Sequence, residues 1–107
     1  MDESEFNVLA DAELMRIEAA LERCGAEIDI ETKPGGVLEV EFENGTRIII
    51  NRHSAAREIW VAARSGGFHF RPVEGGWLGT RDRAELYAML STLVSEQAGC
   101  AATVVPE

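Results

Sequence analysis

The sequence predicts an α+β fold in which two helices cover one face of an antiparallel sheet. Near both ends of the chain, over residues 3–23 and about 82–98, apolar residues recur every three or four positions, which is typical of amphipathic helices. Between these segments apolar and polar residues alternate, which is typical of half-buried strands. The order helix, strands, helix leaves the second face of the sheet in solvent.

The first helix is predicted from its apolar stripe and from the residues at its two ends. The stripe consists of Phe6, Ala10, Leu14, Ile17 and Leu21. Ser4 is expected to cap the start, and Gly25 lies just past the end. At about 100° per residue, Asp11, Glu18 and Glu22 fall within a sector of roughly 40° beside the stripe, so they form a row of carboxylates along the helix.

Six short strands and a final helix follow. The strands are predicted over residues 27–32, 37–43, 46–51, 58–64, 67–71 and 76–79. Asn44-Gly45 predicts a hairpin with a type I′ turn. Asp82 or Thr80 is expected to cap the last helix, and Gly99 to end it. The alternation places a set of strand carboxylates on the solvent face or at its edge: Glu27, Asp29, Glu31, Glu39, Glu41 and Glu43.

Length and charge restrict the function. The chain has 107 residues, so we expect a single domain over 1–107. Its net charge of −9 argues against binding nucleic acid or an anionic membrane, and favours a basic protein partner or a cation. The first 43 residues hold thirteen acids and three bases, so the acidity is concentrated there. The N-terminus is acidic, unlike that of a targeting peptide, and no apolar run is long enough for a membrane span, so we expect a cytoplasmic protein.

No catalytic motif is present, and the residues that could carry chemistry are few. Cys24 and Cys100 lie far apart without a CxxC motif, which favours two reduced thiols over a disulfide or a metal site. His53 and His69 stand in separate segments, where surface or packing roles are more common than ligation. Clustered carboxylates could bind hard cations weakly. The same carboxylates could instead form a solvated face, although like charges without interspersed bases repel one another.

Trp60 is the most informative aromatic residue. It lies between Ile59 and Val61, and if these two face the core, Trp60 faces outward and could anchor a partner. The opposite register would bury Trp60 in the core, and the pattern alone leaves both orientations open. Asn51 ends the third predicted strand and could lie beside an outward Trp60.

Several segments together resemble the frataxin family in its bacterial, CyaY-type form. They are the acidic first helix, Gly35–Leu38, Phe42–Gly45, Ile48–Arg52, Ile59–Ala62, Gly66–Phe70 and Trp77. The match is collinear over about residues 4–99. The resemblance implies a two-layer sandwich of two helices on five to seven antiparallel strands. It also implies a role in iron–sulfur cluster assembly, with docking on the cysteine desulfurase and on the scaffold protein.

The resemblance also implies the residues of the sites. Weak binding of ferrous and ferric iron falls to Asp11, Glu18, Glu22, Asp29 and Glu31, and partner binding to Glu18, Glu22, Asn51, Trp60 and His69. The protein is expected to be a monomer without catalytic residues or an organic cofactor. Two alternatives stay open, a ferroxidase that oxidises and stores iron and an acidic mimic of nucleic acid.

Overall fold

The computed structural model describes residues 1–106 and contains two helices on a six-stranded sheet, which confirms the predicted α+β sandwich. The elements are α1 (Glu3–Glu22), β1 (Ile28–Lys33), β2 (Val37–Phe42), β3 (Arg47–His53), β4 (Glu58–Ala63), β5 (Gly66–Val73), β6 (Gly76–Gly79) and α2 (Leu86–Ala98). The strands pair antiparallel in the order of the sequence. Neither described helix combines the length and the apolar character that a membrane-spanning helix needs.

Helix α1 begins at a different cap from the one expected. The Asp2 carboxylate accepts the Glu5 N–H at 2.8 Å, and the Glu5 carboxylate accepts the Asp2 N–H at 3.0 Å. This reciprocal capping box needs Asp2 at the N-cap and places Ser4 inside the helix. The inner face of the helix buries the predicted stripe, including Phe6 and Ile17, against the sheet.

The strand register separates a core face from a solvent face. The core face carries fully or nearly fully buried residues: Leu38, Val40, Phe42, Ile48, Ile50, Ile59, Val61 and Phe70. The β2–β3 hairpin differs from the expected type I′ turn, because only Gly45 has a positive φ, of 85°. Gly45 N–H donates to the Phe42 carbonyl at 2.9 Å, and Phe42 N–H donates to the Thr46 carbonyl at 2.9 Å, as in a three-residue loop with a left-handed glycine.

Helix α2 is capped by Glu85, not by Asp82 or Thr80. The Glu85 carboxylate accepts the N–H groups of Tyr87 and Ala88, each at 3.0 Å. Asp82 accepts the Ala84 N–H in the preceding loop. Gly99 ends the helix with a φ of 72°, as predicted.

The C-terminal segment packs on α2 through two serines one turn apart. Ser91 Oγ bonds both the N–H and the carbonyl of Val104, and Ser95 Oγ does the same for Ala102. Val104 is fully buried by this arrangement. Cys24 is buried and Cys100 exposed, and both are free thiols, as predicted.

One carboxylate, that of Glu13, is buried in the core between α1 and α2. Its side chain accepts hydrogen bonds from Trp77 Nε1 at 3.2 Å, from Arg16 Nη1 at 3.2 Å and from the Tyr87 hydroxyl. Burial, together with the bond to Glu13, raises the pKa of Tyr87. These three donors allow a charged side chain to lie in the core.

Candidate functional site

Asp11 is committed to a structural contact. Its carboxylate accepts Arg52 Nε at 2.7 Å and ties α1 to β3. Arg52 Nη1 also donates to Asn7 Oδ1 at 3.3 Å and to Ser54 Oγ at 3.0 Å. Arg52 passes so close to Gly36 that a Cβ there would lie 2.5 Å from its Cγ and Nε. The charge of Asp11 is therefore partly neutralised.

Glu18 and Glu22 lie one helical turn apart on the same flank of α1. We call Asp11, Glu18 and Glu22 the acidic flank. Glu18 is half-buried and Glu22 is exposed. Within residues 1–106 neither glutamate forms a salt bridge, in contrast to Asp11. Their charges therefore remain available to a partner or a cation.

Carboxylates of the adjacent strands β1 and β2 lie directly opposite one another in the strand register. Asp29 pairs with Glu41 and Glu31 with Glu39 in the register, and like charges directly opposite one another are destabilising. Two bases relieve this repulsion: Lys33 Nζ lies 2.8 Å from Glu39, and Arg47 lies 3.6 Å from Glu39 and 3.5 Å from Glu41.

The pairing of Lys33 with Glu39 changes how both groups titrate. Their hydrogen bond raises the pKa of Lys33 and lowers that of Glu39. Asp29 and Glu31 form no salt bridge among the described residues, so the edge strand β1 carries two unpaired carboxylates. Of the five predicted metal ligands, Asp11 is thus partly neutralised by Arg52. The other four form no salt bridge among the described residues: Glu18, Glu22, Asp29 and Glu31.

The available carboxylates occupy two separate elements. Glu22 ends α1 and Ile28 begins β1, so a connection of five residues, 23–27, links the two elements. Within residues 1–106 no three His, Cys, Asp or Glu side chains form a group that could hold a metal ion. The oxygen donors suit hard cations, but they stand apart and do not form a cage.

Trp60 faces the solvent side of the sheet, which settles the orientation that the pattern left open. It lies between Asn51 on β3 and His69 on β5 in the strand register, as expected for Asn51. Two imidazole rings cover its indole: His53 at 3.8 Å between centroids and 12° between planes, and His69 at 4.3 Å and 10°. We call these three rings the aromatic stack.

Glu58 fixes the aromatic stack in place. Its Oε1 accepts the Trp60 Nε1–H at 2.8 Å and lies 3.5 Å from His69 Nδ1. His53 Nδ1 accepts the Ala56 N–H at 3.2 Å, which orients that ring as well. Trp60 is consequently half-buried, and a partner meets the edges of three rings rather than a free indole face.

Sequence reasoning did not assign His53 or Glu58 to this face. Both lie on the solvent side because His53 pairs with Glu58 in the β3–β4 register, two positions from Asn51 and Trp60. The alternation of side chains along a strand would have placed them beside Trp60 once that register was known.

Comparison with known proteins agrees with this architecture. The frataxin-like domain family matches residues 1–100. Proteins named iron-sulfur cluster assembly protein CyaY are similar throughout: that of Dechloromonas aromatica is 63% identical over 99 residues, covering 92% of this chain and 94% of its own. That of Cupriavidus necator is 55% identical over 107 residues, covering 97% and 96%.

A solved structure shows the same fold. The frataxin of Psychromonas ingrahamii superposes with a TM-score of 0.88 at 32% sequence identity, covering 98% of this chain and 99% of that one. The two chains align over nearly their whole length. The chain therefore belongs to the frataxin family.

Proposed function

We propose that this protein acts in iron–sulfur cluster assembly as a non-catalytic, iron-binding protein that docks on the cysteine desulfurase and on the scaffold. Its relatives from Dechloromonas and Cupriavidus are named for that process. The observation that carries the proposal is the pair of glutamates one helical turn apart, Glu18 and Glu22, which form no salt bridge within residues 1–106, whereas Asp11 on the same flank is bonded to Arg52. A protein of net charge −9 with this local surface suits a basic partner.

The acidic flank is the proposed contact with the desulfurase. Glu18 and Glu22 are four residues apart on one helix face, so a single basic patch can meet both. Charges at the rim of an interface act mainly on the association rate and lose effect as salt rises. This contact should therefore be strongly dependent on salt.

The aromatic stack is the proposed contact with the scaffold protein. Aromatic residues are frequent energetic centres of interfaces because they bury large areas at little cost in side-chain entropy. Glu58 and the two histidines already hold Trp60 in one orientation. Asn51 lies beside it on the same face and offers an amide for polar contacts.

Reversing the acidic flank tests the desulfurase contact. We expect Glu18→Lys with Glu22→Lys to slow association with the cysteine desulfurase at low salt by roughly tenfold or more, because attraction becomes repulsion at two points. Glu74→Lys with Glu96→Lys is the matched control, since it changes the net charge equally at two exposed acids elsewhere. Interferometry at two salt concentrations would measure both rates.

The outcomes of that experiment separate a local effect from a global one. Equal slowing by the control pair would show that only net charge matters. Parent-like binding by the Glu18 and Glu22 variant would remove the acidic flank from the interface. Trp60→Ala, which leaves the helix intact, should bind the desulfurase normally and weaken the ternary complex with the scaffold.

Iron is the proposed cargo, bound weakly at separate carboxylates. Nuclear magnetic resonance titration with ferrous iron should first broaden signals near Glu18, Glu22, Asp29 and Glu31, and Asp11 should respond less than the others because Arg52 already occupies it. Broadening centred on Cys24 would contradict this assignment. The ferroxidase alternative instead predicts continued oxygen consumption at substoichiometric protein.

A further inference from the structure

The outer face of α1 carries exposed apolar residues. Val8 and Met15 are each 72% exposed, although both are large apolar side chains. In chain order, Val8, Ala12, Met15 and Ala19 occupy positions i, i+4, i+7 and i+11, which align along one side of a helix. We call these four residues the outer stripe. The fold buries none of them deeply, because the core uses the opposite side of α1.

Charges of opposite sign border the outer stripe on its two sides. At about 100° per residue, the acidic flank lies roughly 40–80° to one side of Val8, and Arg16 and Arg23 lie roughly 60–80° to the other. Met15, Arg16, Ala19 and Arg23 line a shallow groove of about 280 Å³. Alternation of larger residues with alanines leaves gaps into which side chains of a second helix can pack.

We propose that the outer stripe binds an amphipathic helix of the protein that the acidic flank attracts. This inference rests on the proposed function, because it concerns the same partner. Apolar side chains of that helix would pack over Ala12 and Ala19, between Val8 and Met15. Its basic side chains would lie beside Glu18 and Glu22.

A second copy of this chain fits the outer stripe less well than a basic partner does. A single pair of helices with alanine at every other contact position buries far less than the roughly 1,200 Å² typical of stable complexes. Each copy also carries a net charge of −9, so two copies repel one another. A basic helix is attracted instead, and the small apolar contact then limits dissociation.

Charge and apolar contact should therefore affect different rate constants. The acidic flank steers the approach, so its loss slows association. The outer stripe is in contact only in the bound complex, so its loss speeds dissociation and leaves the salt dependence unchanged. A variant that changes only the net charge would not combine faster dissociation with an unchanged salt dependence.

The test is Val8→Ser with Met15→Gln, measured against the cysteine desulfurase by interferometry. We expect the dissociation rate to rise roughly tenfold with an association rate and a salt slope like those of the parent. Val73→Ser is the control, because Val73 is also an exposed valine but lies on β5. Both substituted α1 side chains are exposed, so melting temperatures should stay near that of the parent.

Each outcome decides the inference. An unchanged dissociation rate in the Val8→Ser, Met15→Gln variant would overturn it. That result would not bear on the acidic flank, which is tested by Glu18→Lys with Glu22→Lys. A parent protein that does not bind the desulfurase would overturn the proposed function and this inference together. A change in the sedimentation of the isolated protein on substitution would identify a second copy as the occupant, against the proposal.

Discussion

Glu13 is a glutamate of α1 that lies in the core, where it is 7% exposed. At about 100° per residue Glu13 lies only roughly 20° from Phe6, at the edge of the apolar stripe and away from the acidic flank, but its partners Trp77 and Tyr87 are more than sixty positions away in the chain. Arg16 is a neighbour on α1, but only the packing of α1 against β6 and α2 brings the Trp77 and Tyr87 donors to the same carboxylate. Local periodicity predicts which side of a helix is buried, but it does not reveal a polar contact that forms across the core.

Tyr87→Phe tests this buried contact through pH. Because the folded-state pKa of Tyr87 is raised, its contribution to stability is complete below the unfolded value of about 10 and is lost as pH rises above that value. The variant should lose about 1–3 kcal/mol of unfolding free energy at pH 7, since Glu13 then lacks one donor. Urea unfolding at several pH values should show a shallower decline above about pH 10 than in the parent.

A second residue, Lys33, affects stability over the same range of high pH. Its raised pKa also removes stability at high pH, but equally in the parent and in Tyr87→Phe, because Lys33 is remote on the sheet and exposed. The difference between the two proteins therefore isolates Tyr87. Parallel curves above pH 10 would show that the hydroxyl is not held in its protonated form.

The ends of the elements were harder to predict than the elements themselves. The change from a period near 3.6 to a period of two predicted the helices and strands within a few residues. The caps depended on single hydrogen bonds, so Asp2 replaced Ser4 and Glu85 replaced Asp82. Several carboxylates and hydroxyls near a helix start can serve as caps, and the choice follows from the path of the preceding chain.

The β1–β2 hairpin offers a matched pair of glycines. Gly35 and Gly36 both have positive φ, of 87° and 78°, but only a Cβ at Gly36 would collide with Arg52. Gly35→Ala should cost about 1–2 kcal/mol for the backbone alone. Gly36→Ala should cost more, because Arg52 must leave its contacts with Asp11 and Asn7.

Urea unfolding of both alanine variants, in the parent and in Arg52→Ala, measures this difference. Removing Arg52 should make the two glycine substitutions equally costly, because the collision then disappears. A gap between them that persists without the arginine side chain would assign the extra cost to the backbone of the turn.

At the scale of the whole molecule, the acidity is less one-sided than the sequence indicates. The first 43 residues hold most of the acids, yet Arg47 and Arg52 fold back onto Glu39, Glu41 and Asp11. Sequence position thus overstates the local excess of charge, because β3 lies beside β2 and under α1. Glu18 and Glu22 on α1 and Asp29 and Glu31 on β1 are among the acids that form no salt bridge within residues 1–106.

Salt should stabilise the protein to a moderate extent. Screening of the remaining repulsion should raise the melting temperature by about 2–5 °C between low and moderate salt. Glu18→Gln with Glu22→Gln should raise the melting temperature at low salt and flatten this dependence, whereas Glu39→Gln should lower it by removing the partner of Lys33. Scanning calorimetry at several ionic strengths measures the melting temperatures of the parent and of both variants. If the melting temperature of Glu18→Gln with Glu22→Gln depends on salt as steeply as that of the parent, these two glutamates are not the source of the repulsion.

The candidate site was predictable to different depths. The charged residues of α1 follow from helical spacing alone, so the acidic flank was identified without a structure. The aromatic stack needed the pairing of three strands, because His53, Trp60 and His69 come from β3, β4 and β5. Turn lengths determine that register, and the sequence pattern gave them only approximately.

The two tryptophans lie in different parts of the molecule, which provides a separate optical signal for each. Trp77 is 3% exposed and contacts Phe6 edge-on in the core, so its emission reports unfolding. Trp60 is enclosed by imidazoles on the solvent face, so its emission responds to whatever covers that face. Trp77→Phe leaves Trp60 as the only tryptophan and Trp60→Phe leaves Trp77, so fluorescence of the two variants can follow docking and folding separately, without an attached dye.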